Sequence, residues 1–445
     1  LKALREKLGA QNVIYTPGCP IVPGVYTDLE IVDASTLFHK ENGKLKPGLK
    51  AEYFTNTKFE GTPKLVQVDP KIDFYWLKSP INNLIEEQFS VRWSGILVPK
   101  KSATYQFGGN VRLKIDNVDA DSKGVALEKG RKYEITAELR VASNSSTNIV
   151  EPSAILSWAE TTRDYRKEAL DAAAKADVVI FCGGISAELE GEEMPLVIDG
   201  FSHGDRTHIN LPKIQEDLLK DLHKTGKPVV FVNFSGSAMA MNWEDQNLPA
   251  IVQAFYPGET TGTALTRLLF GDFNPSGRLP VTFYKSEKDI PDFSNYDMQG
   301  RTYRYFTGTP LYPFGYGLSY TTFAYSNLQA EGTSSTEAPV KVTVDVKNSG
   351  KTDGEEVVQL YVSNKTAKTE VPIAALKGFQ RINLKKGEQK SVSFTLNPED
   401  FSVTNGDAKQ VVEPGVFVIA IGGAIPGKDS VVKTIKLTGN IFEVK

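Results

Sequence analysis

Cysteine, histidine and long apolar runs are all scarce in this 445-residue chain, and each scarcity removes a class of function. Cys19 and Cys182 are the only cysteines. They form no CxxC pair and no disulfide framework. Cys182 closes the apolar run "DVVIFC", where a small buried apolar side chain is expected. The four histidines, His39, His203, His208 and His223, show neither HExxH nor paired spacing. That excludes a histidine-built metal site, and no metal or cofactor is expected. No apolar run reaches the length of a membrane span, so no membrane partner is expected. Neither sign of charge dominates: 51 basic residues face 54 acidic ones, for a formal charge of -3. Phosphate backbones demand a basic field, so nucleic acid is not the main partner. "CGG" and "IAIGG" are not GxGxxG fingerprints ahead of a helix, and "FSGSA" lacks the GxSxG elbow.

What is present has three textures. Near the start, Leu1–Leu8 reads as a helix, Gly9 as its cap and "NVIYTPG" as a strand. The same rhythm resumes near residue 163. "RDYRKEALDAAAKAD", "LPKIQEDLLKDLHKTG", "SAMAMNWEDQ" (opened by Ser237) and "ETTGTALTRLLFGD" carry helical spacing. "VVIFCGG", "KPVVFVNFSG" and "AIVQAFYPG" are continuous apolar strands between them. Such alternation predicts an α/β sandwich, residues 1–46 and 160–284, with a mostly parallel sheet covered on both faces. Ligands of such sheets bind beyond the carboxyl ends of the strands.

Residues 47–159 read differently. "GLKAEYF", "FSVRWSGILVP", "ATYQFGG", "VRLKIDN", "RKYEITAELRVA" and "SAILSWA" are short, alternating and rich in aromatic and β-branched residues. They predict a β-sandwich or barrel module inserted into the α/β region at a loop. Residues 322–445 alternate at period two again, which fits a seven-stranded immunoglobulin-like sandwich. Between them, residues 285–321 carry so many Tyr and Phe that an ordered strap with buried rings is expected.

The densest candidate chemistry lies in "AELEGEEMPLVIDGFSHGDRT", which packs Glu188, Glu190, Glu192 and Glu193 into six residues. It follows the strand "DVVIFCGG", where such sheets build sites. Neighbouring carboxylates raise one another's pKa, as a general acid at neutral pH needs. Asp205 and Arg206 fit a loop-structuring ion pair, because a guanidinium suits bidentate carboxylate pairing. Spacing alone selects neither His203 nor His208 for acid/base work. Asp116, Asp119 and Asp121 share a turn but lack the twelve-residue loop and closing Glu of an EF-hand.

"LEGEEMPLVIDGFSHGDRT", "YPGETTGTALTRLLFGDFNPSGRLPVTFY" and "LYPFGYGLSYTTF" together resemble the C-terminal half of glycoside hydrolase family 3, the β-glucosidases, β-xylosidases and their relatives. "GLKAEYF", "FSVRWSGILVP" and "AILSW" resemble the protective-antigen-type module that some members insert here. The last β region resembles the family's fibronectin type III-like module. The resemblance implies a retaining exo-glycosidase acting on a β-linked oligosaccharide or glycoside, with two carboxylates. The nucleophilic Asp would come from an N-terminal (β/α)8 barrel with an SDW-type motif. That motif and barrel are missing from this sequence, so a partner barrel of the same protein is implied, and the chain alone would be inactive. Terminal β-D-glucosyl residues are the implied target, β-xylosyl residues the alternative. A non-catalytic carbohydrate-binding or structural role is the third reading. The acid/base would be Glu192, with Glu190 and Glu193 as alternatives. Substrate-contacting residues would lie mostly in the barrel. Secretion or a periplasmic location follows from the same resemblance.

Overall fold

The computed structural model describes residues 1–23, 29–76, 88–120, 124–141, 153–187, 189–192, 197–332 and 335–444. The chain divides into two compact units: Thr16–Asp171, and a second made of Leu1–Tyr15 with Ala172–Lys445.

In the first unit, each of the six alternating stretches forms a strand: Leu49–Phe54, Phe89–Leu97, Ala103–Gly109, Arg112–Ile115, Tyr133–Val141 and Ser153–Glu160. Alternation puts one set of side chains on one face, and that face is buried. Along Tyr133–Val141, for example, Tyr133, Ile135, Ala137 and Leu139 are buried while Glu134 and Arg140 are exposed. The strands pair antiparallel in an eight-stranded and a five-stranded sheet. Trp93, Leu49 and Tyr53 of one sheet and Tyr105, Ala154 and Leu156 of the other belong to a single apolar cluster.

This unit starts earlier than residue 47. Leu37–Glu41 and Lys44–Pro47 form a hairpin, and Leu37 and Phe38 pair with Leu97 and Ile96. Its turn is Asn42-Gly43, both at positive φ (48° and 76°). That is the backbone a two-residue hairpin turn requires.

The second unit holds the α/β element. Val179–Gly184, Val229–Phe234 and Ala250–Gln253 form a parallel three-stranded sheet in that order. Helices Tyr165–Lys175, Lys213–Lys224, Asn242–Asn247 and Thr261–Leu269 alternate with the strands, the first of them straddling the unit boundary. Lys213–Lys224 turns Leu218, Leu219 and Leu222 inward at helical spacing.

Individual stretches also depart from the sequence expectations. Val13–Gly18 forms no strand, and Ile14 and Tyr15 are exposed. A strand needs a neighbour for its backbone groups, and no described strand lies beside this run. Cys182 is exposed, not buried. Successive residues of a strand face opposite sides: Phe181 points into the core, and Cys182 points out from an edge strand. The helix after Val229–Phe234 begins at Asn242 rather than at Ser237, whose hydroxyl is engaged elsewhere.

Residues 285–321 are ordered by their rings. Tyr303 stacks on Phe314 at 4.2 Å, and Tyr312 on Tyr316 at 5.3 Å. Burial is incomplete, because Phe293 and Tyr296 stand almost wholly in solvent. Among the described residues the C-terminal region has two three-stranded sheets and one four-stranded sheet, all antiparallel, and they share one cluster that includes Val342, Val344, Leu360, Val412, Ile419 and Ile421. No helix among the described residues is long and apolar enough to cross a membrane.

Candidate active site

The three parallel strands end side by side at Gly184, Phe234 and Gln253. Gly184 sits at φ +123°, and a Cβ there would collide with the Phe234 carbonyl. Only glycine lets the first strand leave the sheet so close to the second. Gln215 of helix Lys213–Lys224 clamps this exit. Its amide accepts from Gly184 N at 2.8 Å and donates to Gly184 O at 2.7 Å.

The neighbouring strand ends are tied by a buried polar network. Asn233 Nδ2 donates to Gln253 Oε1 at 2.6 Å, and Gln253 Nε2 donates to Ser235 Oγ at 3.0 Å. Ser235 Oγ donates in turn to the Ser237 carbonyl at 2.9 Å. Buried polar groups linked in this way fix one backbone path. Here the path fixed is that of Gly236 and Ser237.

The acidic loop runs over these strand ends. Leu189 is buried, and next to it Glu190 accepts two hydrogen bonds. Tyr256 Oη donates to Glu190 Oε2 at 2.6 Å, and Ser237 Oγ donates to Oε1 at 3.3 Å. Burial, then the Glu190 hydrogen bond, pushes the Tyr256 phenol well above its ordinary pKa, so it stays a donor. Glu192 lies at a turn and is exposed. Glu188 and Glu193 lie outside the described residues.

Beyond the loop the chain returns as a three-stranded antiparallel meander, Val197–Ile198, Phe201–Ser202 and Asp205–Arg206. Gly204 (φ +93°) packs so tightly that a Cβ would collide with the Gly191 carbonyl. The backbone next to Glu192 is therefore held against the meander. Asp205 and Arg206 do not pair with each other. They are consecutive on a strand and face opposite ways: Asp205 is exposed, and the Arg206 guanidinium lies over the Phe201 ring at 5.3 Å. Arg206 Nη2 donates to the Asn210 carbonyl at 3.1 Å, while Nε and Nη1 are buried with no hydrogen-bond partner among the described residues. Burial lowers the Arg206 pKa, and the charges of Glu190 and Tyr256 oppose that shift. The structure thus brings Glu190 and Arg206 together electrostatically and leaves Glu192 and Asp205 outside that group. His208 sits 3.6 Å from Asp199, away from the glutamates' hydrogen bonds.

Tyr256, Ser237, Asn233, Ser235 and Gln253 drew no functional role from the sequence. All follow or end a parallel strand, which is the one signal that could have selected them. Elsewhere, Asp119 is bonded to Arg112 and Asp116 Oδ1 accepts from Glu134 N, so neither stands free for a cation. Asp121 lies outside the described residues. Among the described residues no group of three or more His, Cys, Asp or Glu could hold a metal ion.

Comparison with known proteins adds the lineage. The model of the glycosyl hydrolase family 3 C-terminal domain matches residues 44–320, and that of a fibronectin type III-like domain matches residues 356–424. A xylan 1,4-beta-xylosidase of Xylanibacter ruminicola is 34% identical over 463 residues, covering 98% of this chain and 51% of that protein. A periplasmic beta-glucosidase of Salmonella typhimurium is 40% identical over 268 residues, covering 57% of this chain and 34% of that protein. Among solved structures, a beta-glucosidase from Kluyveromyces marxianus in complex with glucose aligns with TM-score 0.70 at 26% identity, covering 94% of this chain and 53% of the other. The chain spans about half the length of that xylosidase, and less of the Salmonella glucosidase. With more than half its residues inside the family's C-terminal domain, this chain belongs to glycosyl hydrolase family 3.

Proposed function

We propose that this chain is the part of a retaining β-glycosidase that supplies the proton-transferring carboxylate, Glu192. The observation that carries the reading is the position of Glu192. It is exposed just past the end of a parallel strand, between a buried Leu189–Glu190 anchor and the Gly191–Gly204 contact. Glu190 has both oxygens engaged, whereas Glu192 has no side-chain hydrogen bond or ion pair among the described residues.

In the reaction, a carboxylate from a region outside this chain attacks the anomeric carbon. Glu192 gives its proton to the departing glycosidic oxygen as that bond breaks. Glu192, now ionised, then takes a proton from water as the water oxygen attacks the glycosyl-enzyme and frees the nucleophile. With only one of the two carboxylates, the chain alone does not turn over substrate.

The substrate is a terminal β-linked glycosyl unit. A glucosyl unit fits the named activities of the Salmonella and Kluyveromyces relatives. The xylosyl reading is favoured by the 98% span of the Xylanibacter match. The β unit within Thr16–Asp171 serves as an inserted protective-antigen-type module, and the C-terminal sheets serve as packing. Export to the periplasm or beyond fits the relative named periplasmic.

Glu192→Gln in the active protein tests this. Hydrolysis of aryl glycosides with good leaving groups should survive far better than that of disaccharides, which should fall by about 100-fold or more. Azide should restore turnover as a glycosyl azide. Unchanged disaccharide hydrolysis removes Glu192 from the mechanism. Matched glucoside and xyloside substrates assign the sugar.

A further inference from the structure

The C-terminal ends of the three parallel strands converge on one carboxylate, which follows the first strand and accepts from residues that follow the other two. Glu190 follows Val179–Gly184, Ser237 follows Val229–Phe234, and Tyr256 follows Ala250–Gln253. Tyr256 and Ser237 each donate to a different oxygen of Glu190, at 2.6 and 3.3 Å. Beneath them, the Asn233–Gln253–Ser235 network fixes the turn that presents Ser237.

A carboxylate held this way is poorly suited to deliver a proton. Both of its oxygens already accept hydrogen bonds from protein donors, so neither is turned toward a leaving group. It is well suited to hold a loop. Two residues of chain reach at most about 7 Å, so a pinned Glu190 confines the backbone of Glu192 to that radius. Leu189 on one side and the Gly191–Gly204 contact on the other narrow it further.

We infer that Glu190 is a positioning residue, clamped by Tyr256 and Ser237, and that this clamp sets where Glu192 presents its proton. The inference rests on the reading of Glu192 as acid/base. It assigns Tyr256 and Ser237 a role in placing the acid rather than in contacting the sugar.

The experiment uses Tyr256→Phe, Glu190→Gln, Glu190→Ala and Glu192→Gln in the active protein. Substrates are alkyl β-glycosides, which need acid assistance, and dinitrophenyl β-glycosides, which need little. Tyr256→Phe and Glu190→Ala should lower kcat/KM on the alkyl substrates by about 10-fold or more, and by much less on the dinitrophenyl ones. Glu190→Gln should be milder than Glu190→Ala, because the amide oxygen still accepts from Tyr256. A proton donor would show no such ordering. The alkaline limb of the kcat/KM profile reports the donor, so it should persist in the Glu190 and Tyr256 variants and vanish in Glu192→Gln.

Gly236→Ala supplies a variant that deletes no polar group. Its Cβ would sit 2.8 Å from the Tyr256 ring and 3.4 Å from the Glu190 carboxylate, so it should reproduce the selective loss by displacing the clamp. Wild-type rates in Tyr256→Phe and Glu190→Ala, with Glu192→Gln still impaired, would overturn the clamp and leave the glycosidase reading standing. Loss of the alkaline limb in Glu190→Gln but not in Glu192→Gln would overturn both assignments. A Glu190 variant that fails to fold leaves Tyr256→Phe and Gly236→Ala to decide.

Discussion

Asp69 is 3% exposed, and such a carboxylate persists in an apolar core only if its oxygens are bonded. Three side chains do this. Tyr53 Oη and Trp93 Nε1 donate to Oδ2 at 2.7 and 2.8 Å, and Gln67 Nε2 donates to Oδ1 at 2.7 Å. Tyr53 and Trp93 are themselves fully buried, so removing the acceptor strands two donors. Asp69→Ala should destabilise the Thr16–Asp171 unit by about 2–5 kcal/mol, since each stranded group costs about 1–3 kcal/mol. Denaturant unfolding followed by tryptophan fluorescence measures it. Asp69→Asn should cost less, because one acceptor oxygen remains. At this scale the sequence was only half legible. Nothing in "KLVQVDPK" announces a buried acid. The partners Tyr53 and Trp93 come from two other strands, Leu49–Phe54 and Phe89–Leu97, which only folding brings together.

Among the elements, the short helix Asn242–Asn247 carries a titratable strain. Glu244 in its first turn is 2% exposed, and its Oε1 has no hydrogen-bond partner among the described residues. Burial raises its pKa from 4.5 to about 7. The folded state therefore holds the proton more tightly than the unfolded one. Stability from this group is complete below pH 4.5 and is lost as pH rises toward 7. Above that, Glu244→Gln should be more stable than the parent by up to about 3 kcal/mol, because each tenfold gain in proton affinity is worth about 1.4 kcal/mol. At pH 4 the two should melt alike. Thermal melts at pH 4 and pH 8 check the sign. An equal difference at both would remove the ionisation cause.

Elements were otherwise the most legible level. Continuous apolar runs of "VVIFCGG" and "KPVVFVNF" became parallel strands, and the alternating stretches of the first unit became antiparallel ones. Two local signals behaved differently. Asn42-Gly43 marked a hairpin in plain view, and it draws residues 37–47 into the β unit. "NVIYTPG" has strand-like composition but no ladder, because composition cannot supply a neighbouring strand.

Across the whole second unit, the α/β element and the C-terminal sheets are joined by a buried ion pair. Arg278 comes from "NPSGRLP" and Glu356 from strand Gly354–Asn364; their side chains are 10% and 3% exposed. Arg278 Nη2 reaches both Glu356 oxygens at 3.1 Å, and Nε donates to the Gly423 carbonyl at 3.2 Å. Gln359 Nε2 adds bonds to the Gly315 and Gly423 carbonyls. Burial raises the Glu356 pKa, and Arg278 opposes the rise. Arg278→Met should cost about 3–5 kcal/mol, because it leaves a buried carboxylate unpaired. Arg278→Met with Glu356→Leu should recover most of that loss. Calorimetry on the two variants decides, and a double variant no better than the single would show that the pair's packing matters more than its charge.

The sequence by itself determined most of the helices and strands, the change between α/β and all-β textures, and that a glutamate-rich loop follows a parallel strand. Those follow from local periodicity and from motifs that the family comparison shares. Only the tertiary structure decided how the glutamates differ. Glu190 is held by Ser237 and Tyr256, 47 and 66 residues away, and Glu192 is left exposed. Nearby residues of identical chemistry cannot be told apart by composition. They part when a folded sheet sets two strand ends beside one of them and solvent beside the other.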